Sequence, residues 1–322
     1  MPAWKHISEI HEESIDYMEK RKSGLIKSVR TPWNNFNNAG VDGLEYGNII
    51  TIAGRPGSGK TAIVNQITRR LKEFNPEQDI AVLDFQFEMS SRTTGIREFS
   101  SVIKKSYKEL LSVGKPIEEW EITRLKSHAL ASKSKEIYQI DVSMTVSEME
   151  TTIINFIKFV QKPVIVTIDH SVLIKRSASE KDVFDTLYNL GEMLTRIKKI
   201  WDIVFIVLTQ MNRTIEDQSR KVPGTAGNYP TSADIFGADS LLMHSDILVV
   251  INKPFNYSLE IYGPEQFVVT ENLLALHFLK TRNGDNKLYF YDAQFEHMSI
   301  KEIPTPISKR MTKRTGYNTR TE

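Results

Sequence analysis

Residues 54–61 read GRPGSGKT, directly after NIITIAG and at the start of a stretch with helical spacing from Lys60 to Phe74. A turn of the form G-x-x-x-x-G-K-[ST] between a strand and a helix constrains the fold more than any other feature of the chain. Its glycines let the backbone close tightly, so that N–H groups converge, and the helix N-terminus behind them favours an anion. Phosphate is the ligand this geometry selects, with Gly54, Arg55, Pro56, Gly57, Ser58, Gly59, Lys60, Thr61 and Ala62 as its cradle. Lys60 has the reach for the β- and γ-phosphates of a nucleotide, and the Thr61 hydroxyl can ligate Mg²⁺. Such a turn needs strands that all run the same way. IAVLDFQF, EIYQID, PVIVTID and IVFIVLTQ are short, nearly continuous apolar runs separated by helical sequence, including a long helical stretch from about Thr93 to Ser132. Strands of this kind are covered on both faces, and right-handed crossovers then give an α/β fold with a doubly wound, mostly parallel sheet. DILVVINKP, LLALHFLK and KLYFYD read as antiparallel strands added at the C-terminal end, the last two joined by an expected type I′ turn at Asn283-Gly284.

The 322 residues include no cysteine and carry a net charge of +2. Thiolate metal sites and disulfides are excluded. So small an excess of cations argues against an outer basic face for duplex DNA but leaves a lined channel open. No apolar run approaches a membrane span, and the acid-bearing start MPAWKHISEIHEESID lacks the apolar core of a signal peptide. A cytoplasmic protein without a membrane partner is expected. Three regions follow: residues 1–30, with a helix from about His6 to Lys22; residues 31–300, the α/β domain; and residues 301–322, a basic tail expected to be disordered. The helix sets Ile7, Ile10, Ile15 and Met18 on one face, suited equally to its own domain or to a neighbouring subunit. Residues 215–240 are long, irregular and rich in Gly, Pro and Ser; inside a compact domain such a loop is functional or disordered.

Further strand ends bear polar groups. Asp169 closes VIVTID and would lie beside the phosphate turn, placed to hold the shell of a Mg²⁺ ion. Glu88 follows the strand after the Lys60 helix, where a carboxylate can act as general base or be an ordinary polar strand end. Gln210 ends IVFIVLTQ, where an amide can sense the γ-phosphate and relay its loss into the loop that follows. Lys280 and Arg282, two apart at the end of a strand, share a face.

Together these segments resemble the RecA-like C-terminal motor domain of the DnaB family of replicative helicases. RPGSGKTA, FQFEMS, VIVTIDHSVLI, VLTQMNRTIE, SADIFGADSLLMHSDILVVI and FLKTRNGDNKLYFYDAQFEHM are each similar to a family segment, over roughly Thr31 to Met298. The resemblance implies ATP and Mg²⁺ as cofactors, Glu88 as catalytic base, and a homo-hexameric ring in which Lys280 and Arg282 act in trans on a neighbour's nucleotide. Arg97 matches an arginine of the segment that bears Glu88. The resemblance further implies single-stranded DNA in the pore, unwinding at a replication fork, and a primase or helicase loader as partner. Residues 1–30 sit where the family has its linker helix. With no collar domain before it, the chain looks like a short form suited to a phage or mobile element.

The sequence departs from the family in places. His170, Ser171 and Val172 stand where Tyr, Leu and Gln are usual. In the pore segment DIFGADS, Phe236 replaces an arginine and Asp239 a glycine, which weakens contact with DNA phosphates. Phe236, beside Gly237, is suited instead to stacking on a base. Arg213, Arg220 and Lys221 are candidates for replacing the lost cation, or are simply solvated. Two other functions stay open: a RecA-like recombinase that binds DNA without unwinding it, and an ATP-binding regulatory scaffold for a host helicase.

Overall fold

The computed structural model describes residues 4–222 and 227–308. Among the described residues eleven strands form: β1 (Ile49–Gly54), β2 (Ala81–Gln86), β3 (Ile137–Ile140), β4 (Val164–Asp169), β5 (Ile203–Gln210), β6 (Ile247–Asn252), β7 (Ile261–Tyr262), β8 (Phe267–Val268), β9 (Leu273–Thr281), β10 (Leu288–Gln294) and β11 (Ser299–Ile303). Nine make one sheet in the order β11-β10-β9-β6-β1-β5-β4-β2-β3, and β7 pairs with β8 apart from it. From β6 to β3 all neighbours are parallel, whereas β9, β10 and β11 join antiparallel beyond β6. The ten helices are α1 (Ile7–Lys22), α2 (Asn34–Ala39), α3 (Lys60–Arg69), α4 (Leu71–Phe74), α5 (Ser91–Ile103), α6 (Tyr107–Leu110), α7 (Glu119–Ala131), α8 (Val146–Val160), α9 (Val183–Lys198) and α10 (Ala238–Leu242).

Alternate residues of the central strands feed two cores. Ile50, Ile52, Val82, Ile165 and Ile206 pack with Ile63 and Ile67 of α3 and with Trp33 and Phe36. Ile49, Leu83, Val164, Val166 and Phe205 pack with Met149 and Ile153 of α8 and Leu187, Leu190 and Leu194 of α9. Burial on both faces is why β1, β2, β4 and β5 read as nearly continuous apolar runs. Helix α8 starts on a Thr145–Glu148 capping box, and α9 on Asp182, whose carboxylate accepts from Phe184 and Asp185 N–H.

Several expectations are corrected. The helical stretch from Thr93 to Ser132 is three helices, because α5 ends on Lys104 in the left-handed region and Pro116 lies before α7. The β9–β10 connection is not a type I′ turn: neither Asn283 nor Gly284 has a positive φ, and the outermost β9–β10 pair is His277 with Leu288. Gly284 serves a close approach instead, since a Cβ there would lie 2.1 Å from the Ala39 carbonyl oxygen. The expected tail from residue 301 starts too early. Lys301 to Ile303 finish β11, and Val268 N–H donates to Ile307 O; residues 309–322 lie outside the described residues. Helix α1 forms as expected but buries none of its residues; Arg21, near its end, donates to the Ser28 hydroxyl and approaches Glu45.

Candidate active site

The parallel strands deliver their C-terminal ends to one edge of the sheet. There the backbone turns through Gly57 (φ +75°) and Gly59 (φ +94°) into α3, and Gly59 is its N-cap. A Cβ on Gly54 would lie 2.3 Å from Ser58 Oγ, and one on Gly59 would lie 2.2 Å from the Phe295 ring, so neither tolerates a side chain as packed. Lys60 is buried, and its Nζ donates to the carbonyls of Gly54 (2.9 Å) and Arg55 (3.2 Å). Burial lowers the Lys60 pKa, opposed by Asp169 and Glu88. Thr61 Oγ1 donates to Asp169 Oδ2 at 2.6 Å, which ties α3 to the end of β4. Asp169 is 1% exposed; its pKa is raised to about 6, by burial first and by Glu88 and Asp84, against the Thr61 hydrogen bond and Lys60.

Asp169 Oδ1 and Ser58 Oγ are buried without a hydrogen-bond partner. An orphaned carboxylate oxygen beside a threonine hydroxyl fits a hard cation that takes its other ligands from phosphate and water. Among the described residues no cluster of three or more His, Asp or Glu could hold a metal unaided. A cleft of about 630 Å³ opens beside the turn, bounded by Pro56, Asn65, Glu88, Arg97, Tyr107, Gln210 and Phe295. Its size and its polar floor suit a nucleoside triphosphate.

Glu88 and Gln210 reach this cleft as expected, Glu88 with a side chain 56% exposed. Between them lies His170, 4% exposed, with Nε2 3.1 Å from Gln210 Nε2 and 3.8 Å from Glu88 Oε2. Burial lowers the His170 pKa, Glu88 raises it and Lys60 lowers it further. Arg55 departs from expectation: its side chain leaves the cradle to pair with Glu216 at 2.6 Å and to donate to Met211 O, leaving its backbone for the phosphate turn. Phe295, whose ring covers Gly59 with Lys253 Nζ 5.4 Å above it, was not singled out from sequence, because nothing local marks a residue that packs 236 positions away.

Lys280 and Arg282 lie elsewhere. β9 runs antiparallel to β6, so Ala275 pairs with Asn252 near the cleft while Lys280 pairs with Leu248 at the opposite edge. Three residues of strand, about 10 Å, separate Leu248 at that edge from Ile251, the partner of Gly54. Lys280 Nζ donates to Leu242 O (2.8 Å), at the end of α10, and Arg282 pairs with buried Asp246 (3.1 Å) while remaining 59% exposed. Asp246 also holds Lys198 and accepts from Ile49 N–H. The Lys280 pKa is lowered by burial, then by Arg282, against Asp246. Neither cation can reach the phosphate turn of its own chain.

Of the expected DNA contacts, Arg220 is committed internally. It pairs with both oxygens of buried Asp234 and donates to the carbonyls of Gly227 and Tyr229, which staples the loop after β5. Arg213 is exposed and makes no ion pair among the described residues, and Lys221 lines a separate recess with Asn228 and Tyr257. Phe236 stacks on Phe184 of α9 (centroids 5.5 Å apart, planes at 25°). Gly237, φ +68°, caps α10, and a Cβ there would meet Leu187 at 2.3 Å. The side chain of Asp239 lies outside what the structure describes. The backbone N–H of Phe236 donates to Gln210 O at 2.9 Å, so the end of β5 is bonded directly to this segment.

Sheet order, phosphate turn and strand-end carboxylate define a RecA-like P-loop ATPase fold. A family model described as DnaB-like helicase C terminal domain matches residues 28–298, and the chain belongs to that family. It is 23% identical over 261 residues to the replicative DNA helicase DnaB of Helicobacter pylori, covering 80% of this chain and 50% of that protein. With the DnaB of Buchnera aphidicola subsp. Baizongia pistaciae it is 25% identical over 77% of this chain and 52% of that protein. The chain thus spans about half the length of the curated relatives it matches. In fold it is similar to a solved ATPase domain of the protein named G40P (TM-score 0.77, 17% identity, 91% of this chain and 98% of that one). A DnaB-like replicative helicase studied with its primase gives a TM-score of 0.75 at 17% identity, over 91% of this chain and 66% of that one.

Proposed function

We propose that this chain is the motor of a ring-forming, ATP-driven helicase that moves on single-stranded DNA and parts the duplex at a replication fork. One observation carries the reading: Lys60, Thr61, Asp169 and Glu88 occupy one edge of the sheet, with Arg97 lining the same cleft, while the neighbouring cations Lys280 and Arg282 face the other edge. A single subunit holds half a site at each edge. Copies set side by side in a homo-hexamer bring the halves together.

ATP is the proposed substrate and Mg²⁺ its companion, held by Thr61 and Asp169; the cation neutralises charge on the phosphates. Lys60 exchanges the carbonyls of Gly54 and Arg55 for the β- and γ-phosphates, and buried there it acts in a low dielectric where its charge counts most. Glu88 takes a proton from the attacking water. Arg282 from the neighbour meets the charge that develops on the γ-phosphate, with Lys280 beside it. Gln210 relays loss of that phosphate to the segment after β5, proposed to line the pore, where Arg213 and Lys221 meet DNA phosphates and Phe236 is offered to bases. The exposed apolar face of α1 is proposed to dock on an adjacent subunit. A primase or a helicase loader is a further proposed partner. No helix among the described residues is long and apolar enough to cross a membrane, and the proposed place of action is the cytoplasm.

ATP hydrolysis with and without oligo(dT), and strand separation on a forked duplex, test the reading. DNA-stimulated hydrolysis with unwinding is expected. The stacking of Phe236 on Phe184, in place of a free cation, favours one second reading, an ATP-binding scaffold. Hydrolysis indifferent to DNA and an intact fork would establish that reading and overturn the helicase.

A further inference from the structure

His170 is enclosed between the two groups that act on the attacking water and on the γ-phosphate. Its Nε2 lies 3.1 Å from Gln210 Nε2 and 3.8 Å from Glu88 Oε2. Its Nδ1 is buried without a partner. A histidine kept for packing satisfies both ring nitrogens or gives way to an apolar residue; an orphaned ring nitrogen beside a reaction site calls for another account. The position is also one at which the chain departs from the family pattern. On the far side of the pair, Gln210 O accepts from Phe236 N–H (2.9 Å), and Met211 bridges Ile235. Glu88, His170, Gln210 and Phe236 therefore follow one another from the reaction site to the segment proposed to meet DNA, joined by hydrogen bonds except at the 3.8 Å step from Glu88 to His170.

We propose that His170 is a positioning residue that couples DNA to hydrolysis: its Nε2 accepts from the Gln210 amide in one tautomer or donates to the Glu88 carboxylate in the other, never both, so a shift of the Phe236 segment that moves Gln210 resets Glu88 against the water. The line is short: Phe236 to Gln210 and Gln210 to His170 are hydrogen bonds, and His170 to Glu88 is a polar contact of 3.8 Å, the kind of packed polar chain through which coupling travels. His170 touches no phosphate and acts only through its neighbours. The inference rests on the ATPase reading above and deepens it.

The test is a double-mutant cycle in steady-state hydrolysis, with and without oligo(dT), on wild type, His170→Ala, Gln210→Ala and the pair. Binding of a non-hydrolysable fluorescent ATP analogue is measured in parallel. His170→Ala is expected to lower DNA-stimulated kcat by about tenfold or more, with KM and analogue affinity held within about twofold. His170→Gln, which reaches both neighbours, is expected to recover much of the loss. The pair should be no slower than Gln210→Ala alone, as for groups acting through one another. Should His170→Ala not fold, His170→Asn keeps a polar side chain in the slot and carries the same cycle. Unchanged stimulation in the His170 variant, or losses that simply multiply in the pair, would overturn the proposal. A wild type that does not hydrolyse ATP would instead overturn the reading beneath it.

Discussion

His277 lies in β9 with its ring enclosed, and Nε2 is 2.8 Å from the Tyr262 hydroxyl, which also accepts from Asn252 Nδ2 at 2.6 Å. Burial lowers its pKa from 6.5 to about 3. The folded value lies below the unfolded one, so the unfolded chain takes up a proton first as pH falls. The stability this group contributes is intact above pH 6.5 and erodes below it, until the folded form also protonates near pH 3. By pH 5 the loss is about 2 kcal/mol. His277→Gln keeps an acceptor for Tyr262 without a titrating ring, and urea unfolding at pH 7.5 and pH 5 should show a shallower loss than in wild type. Arg220 and Arg213 separate in the same spirit. Arg220→Ala leaves buried Asp234 unpaired and should cost about 2 kcal/mol of stability. Arg213→Ala should leave the melting temperature unchanged and weaken binding of oligo(dT), more so at low salt.

At the scale of elements, what could be read in advance was whatever depends on local pattern. β1, β2, β4 and β5 are nearly continuous apolar runs because both faces are covered, and a run of that kind admits few alternatives. The phosphate turn and the strand ends bearing Asp169, Glu88 and Gln210 were legible for the same reason: parallel strands send all their ends to one edge. Long-range partners were not legible. Arg55 and Arg220 look like free cations until Glu216 and Asp234 fold onto them, and Asn283-Gly284 looks like a tight turn until Ala39 is seen against Gly284. His170 carried no local sign beyond its difference from the family. Helix α1 was legible as amphipathic, yet its partner was not. Ile7, Ile10 and Met18 remain 56%, 42% and 59% exposed, an apolar face larger than a lone helix keeps in water. Changing these three to serine should shift the assembled protein to smaller species in analytical ultracentrifugation at unchanged helix content of the α/β domain.

The whole molecule is a sheet with a phosphate turn at one edge and two cations at the other, joined by strands too stiff to fold back. β6 and β9 fix that separation, and Asp246 and Leu242 O hold Arg282 and Lys280 at the far edge. On the proposed reading such a molecule gains a complete site by assembly, and a closed ring completes every site at once. Mixing two inactive proteins tests this directly. Lys60→Ala and Arg282→Ala are each expected to lose hydrolysis almost entirely, since one lacks the cradle lysine and the other the neighbour's arginine. In rings assembled from equal amounts of both, an Arg282→Ala subunit supplies an intact cradle to a Lys60→Ala subunit that supplies an intact arginine, at about a quarter of the interfaces by random placement. Recovery of hydrolysis towards that fraction is the result predicted. Mixed rings, verified by differential tagging, that remain as inactive as either parent would contradict the account.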